Sequence, residues 1–198
     1  MAITIGIVVF EDCEELDWVG PWEVFTMARQ EGDTVVTISE HEGPIRCRKG
    51  LRVLTDHTFA DAPALDVVLV PGGQGSRTER TNPAMLEFLR RVAPNCRWVT
   101  SVCTGAFVLE AAGPARGKRV TTHWAAIEEF RGLAPEQEVL ENVRYVRDGN
   151  VVTSAGVSAG IDMSLWLVGQ LYSVEHARAT QAAMEYNPAP PYAALTGE

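Results

Sequence analysis

Chemistry in this sequence concentrates where an apolar run stops at a cysteine. In Trp98-Val99-Thr100-Ser101-Val102-Cys103-Thr104-Gly105-Ala106-Phe107, a β-branched stretch gives way to a helix-forming one, with Cys103 at the break and glycine two residues later. This is a nucleophile elbow with sulfur in place of the serine oxygen. A small residue at 101 and no side chain at 105 let the backbone turn sharply, which lifts the sulfur above the ends of the strands. So sharp a turn predicts a strained backbone conformation at Cys103. Unpaired N–H groups and the positive end of the following helix favour thiolate over thiol, and so predict a pKa below the free value of about 8.5. Cysteine is also among the most buried residue types, and a structural thiol is the competing reading. For Cys13, Cys47 and Cys96, which lack an elbow, that reading is preferred.

Two further segments could serve such a nucleophile. Pro71-Gly72-Gly73-Gln74-Gly75 follows the apolar run 65–70, and consecutive glycines let backbone N–H groups approach a ligand closely. Gly72 and Gly73 are therefore candidate backbone donors to an anion, although a strand-to-helix turn also needs glycine for steric reasons alone. Asp17 stands in Glu14-Glu15-Leu16-Asp17-Trp18-Val19-Gly20-Pro21, where acidic and N-terminal helix signals meet. Glu15 is the nearest competing carboxylate. The four histidines, at 41, 57, 123 and 176, show no metal-ligand spacing, and no C-x-x-C pair occurs, so neither a metal nor a redox dithiol is expected.

Positioning these residues requires a sheet whose strands end together. Residues 3–10, 34–39, 65–70 and 98–102 are apolar and β-branched, as expected of parallel strands buried on both faces, and 118–122 is strand-like. Helical patterns run from Asp17 through Arg29, from the Asn82-Pro83 cap to about 93, over 104–112, 160–172 and 174–186. Residues 44–57 read as a hairpin excursion broken at Gly50, with Arg46, Arg48, Lys49 and Arg52 solvated on it. Residues 145–153 form a second hairpin turning at Asp148-Gly149-Asn150. Strands alternating with helices imply a parallel sheet covered on both faces, and in such sheets ligands sit beyond the carboxyl ends of the strands. Asp17, Gly73 and Cys103 should converge there.

Composition narrows the functions. The 198 residues, 46% hydrophobic, suit one domain over 1–198 with a proline-rich extended tail from 187. A formal net charge of −9 without a long basic run disfavours nucleic acid. No stretch approaches the roughly 20 apolar residues of a membrane span, and the N-terminus has no basic region leading into a cleavable apolar segment, so a cytoplasmic protein is expected.

The strand-PGG turn, the S-V-C-T-G elbow and Thr121-Thr122-His123-Trp124 together resemble the ThiJ/PfpI (glutamine amidotransferase class I-like) superfamily over nearly the whole chain. Within it, the L-D-x-x-G-P-x-E-V-F helix start, Cys-Thr-Gly, T-T-H-W and the Pro-Ala-Pro-Pro-aromatic tail are similar to the isonitrile hydratase group. The resemblance implies a flavodoxin-like three-layer sandwich and a homodimer. It also implies Cys103 as nucleophile, Asp17 as general acid/base, and Gly73 and Thr104 as backbone donors. PfpI-type peptidases carry His directly after Cys where Thr104 stands, and no late His-x-Glu pair of a glutaminase is present, so proteolysis and glutamine hydrolysis are disfavoured. His123 is read as a structural hydrogen-bonding residue beside Trp124 in preference to a base.

The implied chemistry is addition of a thiolate to the terminal carbon of an isocyanide, a small electrophile, with the charge developing on the nitrogen side quenched as it forms. Water then displaces the cysteine to leave an N-substituted formamide, with no cofactor. A carboxyl close to the thiolate in a partly dry pocket should have a raised pKa. Two other readings stand beside this one: glyoxalase or deglycase chemistry on small α-oxoaldehydes, and a non-enzymatic regulatory or redox-sensing domain with Cys103 as the sensor.

Overall fold

A computed structural model describes residues 2–189. In chain order its elements are β1 (Thr4–Val8), α1 (Glu15–Ala28), β2 (Thr34–Ser39), β3 (Ile45–Arg46), β4 (Arg52–Val53), β5 (His57–Thr58), β6 (Val67–Val70), α2 (Ser76–Glu79), α3 (Pro83–Val92), β7 (Trp98–Val102), α4 (Gly105–Ala112), α5 (Ile127–Leu133), β8 (Tyr145–Asp148), β9 (Val151–Ser154), α6 (Ala159–Leu171) and α7 (Val174–Ala183). Seven strands form one sheet in the order β5-β2-β1-β6-β7-β9-β8. Every neighbouring pair is parallel except the β8–β9 hairpin. Helices α1, α6 and α7 pack on one another against the sheet, and α3 and α2 pack on α4 as a second group, which gives the flavodoxin-like sandwich.

Local chemistry explains the order. All four residues of β6 are buried, as are the last four of β1 and of β7, because a strand covered on both sides has no polar face to present. Asn82 caps α3, its side chain accepting from the Ala84 N–H at 3.0 Å, with Pro83 in the first turn. Helix α4 stops at Gly113, whose φ of 117° suits glycine. The excursion after β2 is a separate antiparallel ribbon, β3 with β4, before β5 rejoins the sheet edge beside β2.

Two expectations need correction. Residues 118–122 do not form a strand of the sheet. Val120 makes only a single parallel bridge to Val139, while the Thr121 N–H donates to Thr153 Oγ1 at 2.8 Å. β9 already occupies the place beside β7, so the segment crosses over the strand ends instead. Helix α7 stops at Ala183, short of the expected 186, and Glu185 lies in the left-handed region with φ of 50°. The expected tail lies, from residue 190 on, outside the described residues.

Candidate active site

The chain visits β1 and β2 on one side of the sheet, then crosses to β6 and β7 on the other, so the carboxyl ends of β1 and β6 open a crevice between them. Asp17, in the first turn of α1, the turn after β6 and the elbow after β7 all meet at that end.

Cys103 sits at φ of 57°, left-handed backbone that costs a residue with a Cβ about 1–3 kcal/mol. Its surroundings hold it there. The Cys103 N–H donates to the carbonyls of Ser154 and Ala155, and its own carbonyl accepts from the Thr122 hydroxyl at 2.9 Å. Thr122 thereby gives the T-T-H-W segment a task at the elbow. Gly105 lets the elbow touch the neighbouring strand, since a Cβ there would lie 2.1 Å from the Val70 carbonyl oxygen. The Thr104 hydroxyl clips the elbow to the glycine turn, 3.1 Å from both the N and O of Gly73 and 2.8 Å from Ser76 Oγ.

The electrostatics of Cys103 run opposite to expectation. Its thiol is pushed up to about 12, first by burial and then by the nearby Asp17 carboxylate. The backbone N–H groups of Thr104 and Gly73 and the Thr104 hydroxyl pull the other way but do not win. A sequence shows that a cysteine starts a helix; it does not show that the same cysteine is 7% exposed beside an anion.

Asp17 is fully buried. Its Oδ2 accepts the Gly72 N–H at 2.9 Å and its Oδ1 accepts the Val157 N–H at 3.1 Å. Burial nevertheless dominates and raises its pKa to about 7, against the lowering effect of those bonds and of the Cys103 thiol that it faces. Gly72 thus spends its N–H on Asp17 and does not donate into the cleft, in contrast to the expected pocket donor. The Gly73 N–H donates to the Thr104 hydroxyl at 3.1 Å, and it lies with the Thr104 N–H close enough to the sulfur to pull its pKa down. Glu15 serves elsewhere: its Oε1 accepts from the N–H groups of Lys49 and Leu51 on the ribbon.

A cleft of about 190 Å³ opens above the sulfur, lined by Cys103, Gly73, Thr104, His123, Ala125, Ala126, Val157, Arg77 and Glu14. Larger hollows, such as one of about 730 Å³ around Tyr172 and His176, lie away from Cys103. His123 Nδ1 accepts the Ala125 N–H at 3.2 Å, and its ring packs on Gly156, where a Cβ would lie 2.1 Å from the ring. Burial lowers its pKa, which favours the neutral ring. It is both a structural residue and part of the cleft wall.

Sequence reasoning missed Glu14, Arg77 and Val157. Arg77 is engaged by Glu129 and lies over the Phe107 ring, and Glu14 pairs with Lys49. Val157 is the most informative omission. At φ of 52° a β-branched residue is an outlier, and that backbone aims its N–H at Asp17. The glycine-containing Ser154-Ala155-Gly156-Val157-Ser158 after β9 was the available signal, as a strand-to-helix turn at the same edge of the sheet.

Residues 3–170 match the DJ-1/PfpI family. The isonitrile hydratase of Pseudomonas putida is 40% identical over 193 residues, which are 97% of this chain and 82% of that protein. The Parkinson disease protein 7 homolog of Danio rerio is 29% identical over 184 residues, 90% of this chain and 94% of that protein. Among solved structures, a ThiJ/PfpI family protein from Pseudomonas syringae superposes with a TM-score of 0.91 at 30% identity, covering 99% of this chain and 80% of that one.

Proposed function

The chain belongs to the DJ-1/PfpI family, and we propose that it hydrates isocyanides to N-substituted formamides, with Cys103 as nucleophile and Asp17 as general acid/base. The observation that carries this reading is the facing of a buried thiol and a buried carboxyl of near-neutral pKa, in a chain so similar to an isonitrile hydratase.

Between them, Cys103 and Asp17 hold one mobile proton. As sulfur approaches the terminal carbon of the isocyanide, the thiol proton passes to Asp17 and the C–S bond forms. Atom balance then places that proton on the former isocyanide carbon, giving an S-linked thioimidate. The Thr104 N–H and hydroxyl and the Gly73 N–H, which already pull the thiol pKa down, stabilise the sulfur while it carries charge. Water next adds across the C=N bond, its oxygen to carbon and one proton to nitrogen, with Asp17 relaying the proton. The C–S bond breaks, the remaining hydroxyl proton returns to the Cys103–Asp17 pair, and the formamide leaves. Each step uses only this chain's own groups and water.

The test is a steady-state assay of the protein on a panel of small isocyanides and, separately, on methylglyoxal. Formamide production with little lactate is expected. Lactate from methylglyoxal without formamide would replace this reading with the glyoxalase one, and turnover of neither would favour a regulatory domain. The cleft volume sets a second expectation, that activity falls as the substituent on nitrogen grows beyond what about 190 Å³ admits.

A homodimer is part of the same proposal. Leu16, Trp22 and Met27 of α1 and Leu51 and Leu54 of the ribbon region are exposed large apolar residues, the composition of a surface meant to be covered. Light scattering at micromolar concentration should give twice the chain mass; a monomer mass would remove the dimer from the proposal.

A further inference from the structure

Beside the cleft, a second pair of groups is built that hydration does not use. Cys13 lies in the turn between β1 and α1, and Cys47 follows β3 on the ribbon, 34 positions away. The fold brings together two thiols that show no C-x-x-C spacing in sequence. The Cys13 thiol donates to Cys47 Sγ at 3.5 Å, and both side chains are buried and free. Backbone bonds on either side fix the contact: the Asp12 N–H donates to the Arg46 carbonyl at 2.9 Å and the Arg48 N–H to the Cys13 carbonyl at 2.8 Å.

The two sulfurs are not equivalent. The indole N–H of Trp18, buried and without an oxygen or nitrogen partner among the described residues, faces Cys47. Together with the Cys13 thiol it lowers the Cys47 pKa, while the same sulfur contact and burial raise that of Cys13. Thiolate character therefore collects on Cys47, and Cys13 keeps its proton. Cys47 adjoins exposed Arg48 and Lys49 on a ribbon of only two residue pairs, so a local opening is enough to admit a small oxidant.

We propose that Cys13 and Cys47 form a reversible disulfide site, oxidised by hydrogen peroxide, that clamps the β3–β4 ribbon to the β1–α1 turn beside the candidate active site. Cys47 thiolate attacks one peroxide oxygen; the S–O bond forms, the O–O bond breaks and hydroxide leaves, giving Cys47 sulfenic acid. The Cys13 sulfur then attacks the Cys47 sulfur, the S–S bond forms, the S–O bond breaks, and the departing hydroxide takes the Cys13 proton as water. Two electrons pass from the two thiols to the peroxide. The clamp bears on the cleft, because Cys13 is bridged to Gly73 and the Glu14 N–H donates to the Gly72 carbonyl.

The experiment treats the full-length Cys103→Ala protein, and the wild type in parallel, with hydrogen peroxide, blocks remaining thiols and maps peptides. In Cys103→Ala the intact mass should fall by two hydrogens, with one cross-linked peptide pair containing Cys13 and Cys47. Dithiothreitol should reverse both. Closing so long a loop should raise the melting temperature by about 5 °C or more. Cys47→Ser should lose the cross-link and the shift together. Added oxygens on Cys47 with no cross-link, or both thiols still open to alkylation after Cys103 of the wild type is fully oxidised, would overturn the proposal. A cross-link that leaves the melting temperature unchanged would overturn the clamp.

Discussion

Cys103→Ala should abolish formamide production, lowering kcat by something on the order of 10⁴-fold or more, the scale of loss when a nucleophile is removed and only binding remains. Among the described residues, no second thiol faces the cleft to take over the C–S bond. The other cysteines stand in different settings: Cys13 and Cys47 point at each other, and the Cys96 thiol donates to the Val92 carbonyl inside its helix-to-strand connection. His123, the remaining candidate nucleophile in the cleft, has its Nδ1 occupied by the Ala125 N–H. The fold should survive. Alanine keeps a Cβ at φ of 57° and so retains the strain, and far-ultraviolet circular dichroism should match the wild type. Cys103→Gly, which relieves the strain, should be equally inactive and more stable by about 1 kcal/mol, read as a higher denaturation midpoint. Inactivity with gained stability is the signature of strain held for function. Formamide production by Cys103→Ala at near wild-type rate would end the nucleophile assignment outright.

What could be read from the sequence was local, and what could not was brought together by the fold. The elbow was legible because its cause lies within ten residues: an apolar strand, a cysteine and a glycine. Asp17 was legible because an acidic residue in a helix start follows a strand whose end faces the crevice. The role of Val157 was not, since its partner Asp17 is 140 positions away and valine favours extended backbone, not the left-handed region it occupies. The direction of the Cys103 shift was misjudged for a related reason. Helix-start N–H groups are visible in sequence, whereas burial and the approach of Asp17 are products of packing. Residues 118–122 carry strand-forming side chains, but a strand exists only where a neighbour is free to pair, and β9 had taken that place.

Asp17→Asn should leave the nucleophile in place and stop the reaction. The wild-type pair holds one proton in its competent form, whether that proton sits on sulfur or on the carboxyl, and the apparent pKa values belong to the pair. A second proton blocks transfer, so kcat/KM should rise with pH through an ionisation near 7, the value to which burial raises Asp17. An amide neither accepts the thiol proton nor delivers it to carbon. Turnover should fall by roughly 10²-fold or more, and the ionisation near 7 should vanish from the profile. Iodoacetamide should still label Cys103, and faster than in the wild type above pH 7, because the Asp17 charge is the second cause of its raised pKa. Stability supplies an independent check of the same shift. The folded-state pKa stands above its ordinary value of 3.8, so between about pH 4 and 7 the native state binds more protons than the unfolded chain. Wild-type stability therefore falls as pH rises across that window, by roughly 4 kcal/mol for the full shift, and stays low above it. The variant lacks this slope, so its stability relative to wild type should climb from pH 4 to 7 in urea titrations. Equal slopes in the two proteins would show that Asp17 titrates at its ordinary value. Near wild-type turnover in Asp17→Asn would make the carboxylate a bracket for Gly72 and Val157, and would send the search for the proton carrier to His123.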